Sequence, residues 1–297
     1  MLRSLVVNAD DLGLTVGVNN GIFDAHDRGV LTSASVFANA RATGDAIARA
    51  RRRPALGIGC HLTLVDGQPT LPPARVPSLI AGDGRFRRSW KPFIVSCLLG
   101  RISMTEVEQE LTAQIDRLRS AGVALTHLDA HKHVHAYPPI FEIVTRLAER
   151  FRIPVVRVPF ERWPSLFFDG SQQQTVRTQA LLNAAMLPWA RRDYRHAASA
   201  GIRTPRFIGR AHTGVLSAAV LAAMVSALPA GVTELMVHPG YVDESLEREN
   251  TRLLTARADE VDLLTRRSTL DLLADQRIAL VRHDLSLSEH RSFRHAS

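Results

Sequence analysis

The sequence predicts an α/β protein built as a TIM-like (β/α) barrel of seven or eight strands, complete or incomplete. Three observations carry this. Short apolar runs alternate with helix-like stretches over the whole length. The runs end in chemistry-bearing residues, at Asp10-Asp11, His61, Asp129 with His131, Arg157 and His238. In parallel barrels, catalytic side chains come from the C-terminal ends of several strands.

The first run, Leu5 to Gly13, is rich in Val and Leu and stops at two adjacent carboxylates and a glycine. It reads as a buried strand that delivers acidic side chains to a rim. Neighbours on an extended chain point to opposite sides, so Asp10 and Asp11 are expected to do different jobs. One would bind a metal while the other holds or abstracts a proton. A polar turn capping the next helix is the plainer alternative. A helix over Val18–Ala25 then stops before Gly29, and Val30–Phe37 reads as a second strand. Helix Ala46–Arg53 is closed by Pro54, and strand Leu56–Leu64 carries His61 among small residues that permit close approach.

Residues 66–104 form a long excursion with Pro69, Pro72, Pro73 and Pro77, inside what is otherwise one domain over residues 1–297. It turns apolar from Pro92 to Leu99, between basic flanks Arg87, Arg88, Lys91 and Arg101. A helix follows from Thr105, with a Thr-x-x-Glu capping box ending on Glu108, and runs to Gly122. Strand Leu125–Asp129, helix Pro139–Phe151 and strand Val155–Val158 come next, then a segment to Phe168 and a helical region over 175–200. A short strand at Arg206–Gly209, helix Ser217–Leu228 and strand Thr233–Gly240 lead to helices over 258–274. Strand Ile278–Val281 precedes a polar tail expected to be loose.

The array Asp129-x-His131-x-His133-x-His135 is the sharpest chemical signal. At strand spacing all four side chains share one face, and packing does not explain three clustered histidines. His131 lies closest to the strand end and is the expected ligand, with His133 and His135 behind it or at the helix entry. His61 alone would read as a core histidine, and His238 as either structural or an acid. Arg157 would orient a carboxylate or pair with an acidic neighbour. Cys60 is expected to point into packing. Two histidines and a carboxylate suit one divalent ion such as Zn²⁺, Mn²⁺, Co²⁺ or Fe²⁺, with Mg²⁺ also open. Such an ion activates water and polarises a carbonyl.

Composition narrows the function classes. With 45% hydrophobic and 22% charged residues, the 297-residue chain has the make-up of an ordinary globular protein. Its two cysteines, Cys60 and Cys97, form no disulfide framework, and no secretory signal or membrane span is read, so a cytoplasmic protein is expected. The net charge of +8 is dispersed arginine without aromatic interleaving, which argues against nucleic acid as a partner.

Four motifs in order resemble the YdjC-like carbohydrate deacetylases, a family that includes the chito-oligosaccharide deacetylases. They are Asn8-Ala9-Asp10-Asp11-Leu12-Gly13, Gly59-Cys60-His61-Leu62-Thr63-Leu64, Asp129 to His135, and His238-Pro239-Gly240. The stretches Gly29–Ser35 and Leu71–Pro77 resemble the branch associated with hopanoid biosynthesis. The resemblance implies a (β/α) barrel that removes an N-acetyl group from an amino sugar. It assigns Asp11, His61 and His131 as metal ligands, Asp10 as base and His238 as candidate acid. Leu12, where the family commonly has Phe, and Cys60 before the histidine are departures that remove no reactive group. The branch implies an acetylglucosamine-bearing hopanoid as substrate. Phe93–Leu99 and Trp163–Phe168 would then form an apolar lip docking peripherally on an anionic membrane, or else pack as a lid or homodimer contact. A metal-dependent phosphoester hydrolase and a non-catalytic carbohydrate- or lipid-binding protein are the competing readings.

Overall fold

The computed structural model describes residues 2–162 and 173–285. Seven strands, β1 (Arg3–Leu12), β2 (Ser33–Val36), β3 (Gly57–Leu62), β4 (Leu125–Ala130), β5 (Arg206–Ile208), β6 (Gly231–Val237) and β7 (Ala279–Leu280), form one sheet. Their order is β4-β3-β2-β1-β6-β5, with β7 also paired to β1, and every pairing is parallel. Isolated parallel bridges Leu128–Val156, Val155–Arg203 and Glu161–Phe207 carry residues 155–161 between the two sheet edges. The expected strand Val155–Val158 is thus reduced to single bridges. The sheet curls into a half-barrel of α/β type, and no complete eight-stranded TIM barrel forms among the described residues.

Helices α1 (Val16–Arg28), α2 (Thr43–Ala50), α3 (Trp90–Leu98), α4 (Met104–Ser120), α5 (Pro138–Phe151), α6 (Gln173–Ala185), α7 (Leu187–Ser199), α8 (Ala218–Ser226), α9 (Glu244–Glu247), α10 (Thr255–Thr265) and α11 (Arg267–Asp275) complete the fold. Their start signals are local. Thr15 caps α1 by accepting from the Val18 amide, and Pro138 opens α5, where no amide is needed. In α4, Val107, Leu111, Ile115 and Leu118 form one buried stripe at helical spacing, while Asp116 and Arg119 lie off it.

Several boundaries differ from the sequence reading for identifiable reasons. The cap of α4 is Ser103, which accepts from the Glu106 amide, so the Thr105/Glu108 box lies inside the helix. Glu106 instead accepts from the Ser78 amide at 2.7 Å and ties down the excursion. That excursion is not structureless: α3 occupies its apolar part and buries Phe93 and Cys97. The helical region over 175–200 is two helices, with Pro188 at the start of α7. The second strand is shorter than Val30–Phe37, and the expected strand face through His135 ends at Ala130. Trp163–Phe168 and the tail beyond Leu285 lie outside the described residues. No helix among the described residues is long and apolar enough to cross a membrane. Both cysteines are buried and free, and Cys60 points into packing as expected.

The half-barrel carries polar side chains on its inner face, and two glycines make room for them. A Cβ at Gly57 would lie 2.8 Å from Ser33 Oγ, and one at Gly59 would lie 2.4 Å from the His127 ring. The Gly-x-Gly-x-His pattern of β3 therefore clears the interior beneath His61.

Candidate metal centre

The site is built where β1, β3 and β4 end. Asp11 adopts φ 69, and the β1–β2 register shifts between Ala9 and Leu12. This bulge turns Asp11 away from the strand path, and Asn or Asp is among the residues that best tolerate it. The two aspartates consequently face different partners, as expected. Asp11 Oδ1 lies 3.5 Å from His61 Nε2 and 3.3 Å from His131 Nδ1. Its other oxygen accepts from Arg257 Nη2 at 2.6 Å. Asp10 is gripped by Arg157, with Nη1 to Oδ2 and Nη2 to Oδ1 both 2.7 Å.

Arg157 is the hub of the buried polar interior. Besides Asp10 it reaches Asp129 Oδ2 at 2.9 Å and Glu234 Oε1 at 2.6 Å. One guanidinium thus faces three carboxylates, a use of its rigid fork that a lysine could not reproduce. Burial pushes the Asp10 carboxyl up, but Arg157 outweighs it and holds the group well below the usual carboxylate range.

His61 Nδ1 is 2.8 Å from Asp129 Oδ1, which fixes the ring and turns Nε2 toward Asp11. Phe37 meets the rings of His61 and His131 edge-on, with centroids 4.8 and 5.2 Å away. Burial pulls the His61 pKa down, yet Asp129, Asp11 and Asp10 outweigh it and raise it to about 10. A site that favours a positive charge on this ring so strongly also suits a metal cation in the proton's place.

Among the described residues, two groups have donor atoms that all lie within 4.8 Å of one another: Asp11, His61 and His131, and Asp10, His61 and Asp129. In the second, the Arg157 guanidinium already joins the two carboxylates. The first fits a divalent ion. Two ligands each ~2.0–2.1 Å from one tetrahedral ion stand roughly 3.3 Å apart, close to the 3.3 and 3.5 Å separations around Asp11 Oδ1. The three residues predicted as ligands are therefore brought together, with Asp10 beside them.

The histidine array behaves differently from its predicted strand geometry. Lys132 and His133 adopt φ of 52 and 55, so the chain turns sharply after His131. His131 stays at the site, half-buried, with Asp66 Oδ2 3.9 Å from its Nε2. His133 instead packs edge-on to Phe207, and His135 Nε2 pairs with the Arg157 carbonyl at 2.9 Å. His238 follows β6, and its amide donates to Glu260 at 2.5 Å. Its charged neighbours are Asp11, Asp10 and Arg257, and burial pushes it down to about 4.

Arg257, Glu234, Asp66, Ser35 and His127 also belong to the site or its support and were not singled out in the sequence. Glu234 had a signal, a carboxylate inside the apolar run Thr233 to Val237. Arg257, on a helix 246 positions from Asp11, had none.

Comparison with known proteins agrees with this architecture. A family model described as YdjC-like protein matches residues 4–275. A carbohydrate deacetylase of Brevibacillus brevis is 36% identical over 277 residues, covering 93% of this chain and 97% of the relative. One from Geobacillus stearothermophilus is 32% identical over 282 residues, covering 95% and 97%. A solved structure from Enterococcus faecalis V583, described as a candidate cellobiose-phosphate cleavage protein, superposes with a TM-score of 0.75 at 25% identity, covering 96% of this chain and 98% of that one. A family match over nearly the whole chain, relatives above 30% identity at near-full coverage and a shared fold lead to one conclusion: this chain belongs to the YdjC-like family.

Proposed function

We propose that the protein is a metal-dependent hydrolase that removes the N-acetyl group from an acetylated amino sugar. The observation that carries this is the convergence of Asp11, His61 and His131 beside Asp10, in a chain whose relatives are carbohydrate deacetylases. Asp11, His61 and His131 would hold one divalent ion, with zinc, manganese, cobalt and magnesium as candidates. When bound, such an ion eases the ionisation of water and polarises the acetyl carbonyl. Asp10 stays ionised because of Arg157, and it takes the proton of the water that attacks the acetyl carbon. The amide C–N bond then breaks, and His238 supplies the proton that the leaving amine needs. Burial keeps His238 neutral at rest, so the proton it delivers to the leaving nitrogen is the one Asp10 took from the water, and both groups return to their starting state.

The finer substrate is the acetylglucosaminyl head group of a lipid of the hopanoid type. Val95, Leu98 and Leu99 on and after α3 are more than half exposed, between Lys91 and Arg101. Helix α3, which carries this apolar, basic face, packs against the 131–136 segment that begins with His131. Val16 and Val242, also exposed, follow the C-terminal ends of β1 and β6. Such a rim would rest on an anionic bilayer and receive the head group.

Acetate release from N-acetylglucosamine, its oligomers and its lipid glycosides, measured alongside metal content, tests the reading. Asp10→Asn should lose most turnover while retaining metal. Unchanged function in that variant would instead favour a binding protein. Vesicles of anionic lipid should retain the protein at low salt and release it at high salt. Failure to retain it, with self-association by sedimentation, would assign the apolar face to a homodimer.

A further inference from the structure

We propose that Ser35 and His127 are positioning residues for His61, acting through Asp129 by a hydrogen-bond chain with a fixed proton order. The proposal rests on the metal reading for its functional consequence, but the proton order itself follows from valence. Three groups meet at the Ser35 hydroxyl. Asp129 Oδ2 is 2.7 Å away, Asn8 Nδ2 2.9 Å and His127 Nε2 2.9 Å. Asp129 is an acceptor, so the single hydroxyl proton of Ser35 goes to it.

Asn8 must present its amide nitrogen, because the same Nδ2 is 3.0 Å from Asp10 Oδ1 and a flipped carbonyl would face that carboxylate. Ser35 therefore accepts from Asn8, and only its second lone pair remains for His127. His127 must donate from Nε2. Its Nδ1 is then an acceptor, which draws the single Thr126 hydroxyl proton to it at 2.9 Å and away from the Ile58 carbonyl at 3.2 Å. Burial, with the His283 ring 3.8 Å away and the Arg157 guanidinium nearby, pushes the His127 ring toward its neutral form, as this order requires.

The chain so ordered runs from Thr126 to His127, to Ser35, to Asp129, and meets His61 Nδ1 at 2.8 Å. With one Asp129 oxygen satisfied by Ser35 and Arg157, the other is committed to the His61 Nδ1 proton. His61 Nε2 is thereby left as the nitrogen that faces Asp11. Gly59 is part of the device, since a Cβ there would occupy the His127 ring position. Outer partners of this kind typically change metal affinity about 10–100-fold when removed.

The first test is the tautomer of His127 in the wild-type protein, read from long-range ¹H–¹⁵N couplings of its imidazole. A protonated Nε2 with a bare Nδ1 is expected, and a protonated Nδ1 or an imidazolium would overturn the proposal. The second compares zinc affinity, by chelator competition, in His127→Gln and His127→Leu. Gln can donate to Ser35 from its own Nε2, whereas Leu fills space and donates nothing. Affinity within about 3-fold of wild type for Gln and about 10–100-fold weaker for Leu is expected. Equal affinities would reduce His127 to packing and overturn the proposal. A wild-type protein that binds no divalent ion would defeat the metal reading, while the tautomer would still report on the proton order.

Discussion

Replacing Arg157 by Met removes the one cation shared by Asp10, Asp129 and Glu234 and leaves a side chain of similar reach. In the wild type these carboxylates sit 2.6–2.9 Å from the guanidinium, and all four residues are buried. Breaking a single buried ion pair costs ~3–5 kcal/mol, because the remaining charge keeps its desolvation penalty. With three carboxylates stranded together, a loss at or above the upper end of that range is expected. A domain holds only about 5–15 kcal/mol of stability in total, so the variant should be close to unfolding at pH 7. The pH dependence gives the sharper signature. In the wild type, Asp10 lies below its ordinary range, so its stabilising contribution is present above about pH 4 and is lost as pH falls further. Without Arg157, burial is opposed only by the weaker pull of His61 and His238 on Asp10 and of His283 on Glu234, and it lifts these two carboxyls above their ordinary values. Their penalty is then full at high pH and is relieved as pH falls and they take up protons. Urea unfolding of both proteins between pH 5 and pH 8 should show a deficit that shrinks toward pH 5. A deficit below about 1 kcal/mol, or one that does not change with pH, would refute the account of Arg157 as the hub.

Two further outcomes follow from the same structure. Gly59→Ala would set a Cβ 2.4 Å from the His127 ring, so a lower urea midpoint and a cost of about 1–3 kcal/mol are expected. Glu260 is buried, and desolvation raises its carboxyl from 4.5 to about 7. The unfolded chain releases that proton above pH 4.5 and the folded chain only near pH 7, so stability should fall across this window by ~3 kcal/mol and then level off. Glu260→Gln should remove this slope, measured by thermal unfolding at several pH values, while keeping the acceptor for the His238 amide.

Much of the site was legible because chemistry here is attached to strand ends. Asp10, Asp11, His61 and His131 each follow an apolar run, and the parallel sheet brings those ends to one rim. That the two aspartates face different partners was also readable, although the cause is a bulge with φ 69 at Asp11 as well as simple alternation. The histidine array was misread because alternation was extended past Ala130. The left-handed turn at Lys132 and His133 has no marker such as glycine, so period-two reasoning ran on through it. Arg157 and Glu234 carried a usable signal, a charge within an apolar strand-like run, which implies a buried partner. The partner's identity is set by the curl of the sheet, as with Asp10, 147 positions from Arg157. The start of α4 at Ser103 was missed because two residues with capping side chains lie two positions apart, and tertiary contact through Ser78 selects between them.

The central claim is that Asp11, His61 and His131 share one ion. Equilibrium dialysis of the metal-free protein against zinc, read as metal bound per chain, tests it most directly when wild type, His131→Ala and His133→Ala are compared. One ion per chain is predicted for the wild type and for His133→Ala, with binding lost or weakened at least about 100-fold in His131→Ala. Tight binding that survives the loss of His131, or no stoichiometric binding by the wild type, would contradict the account.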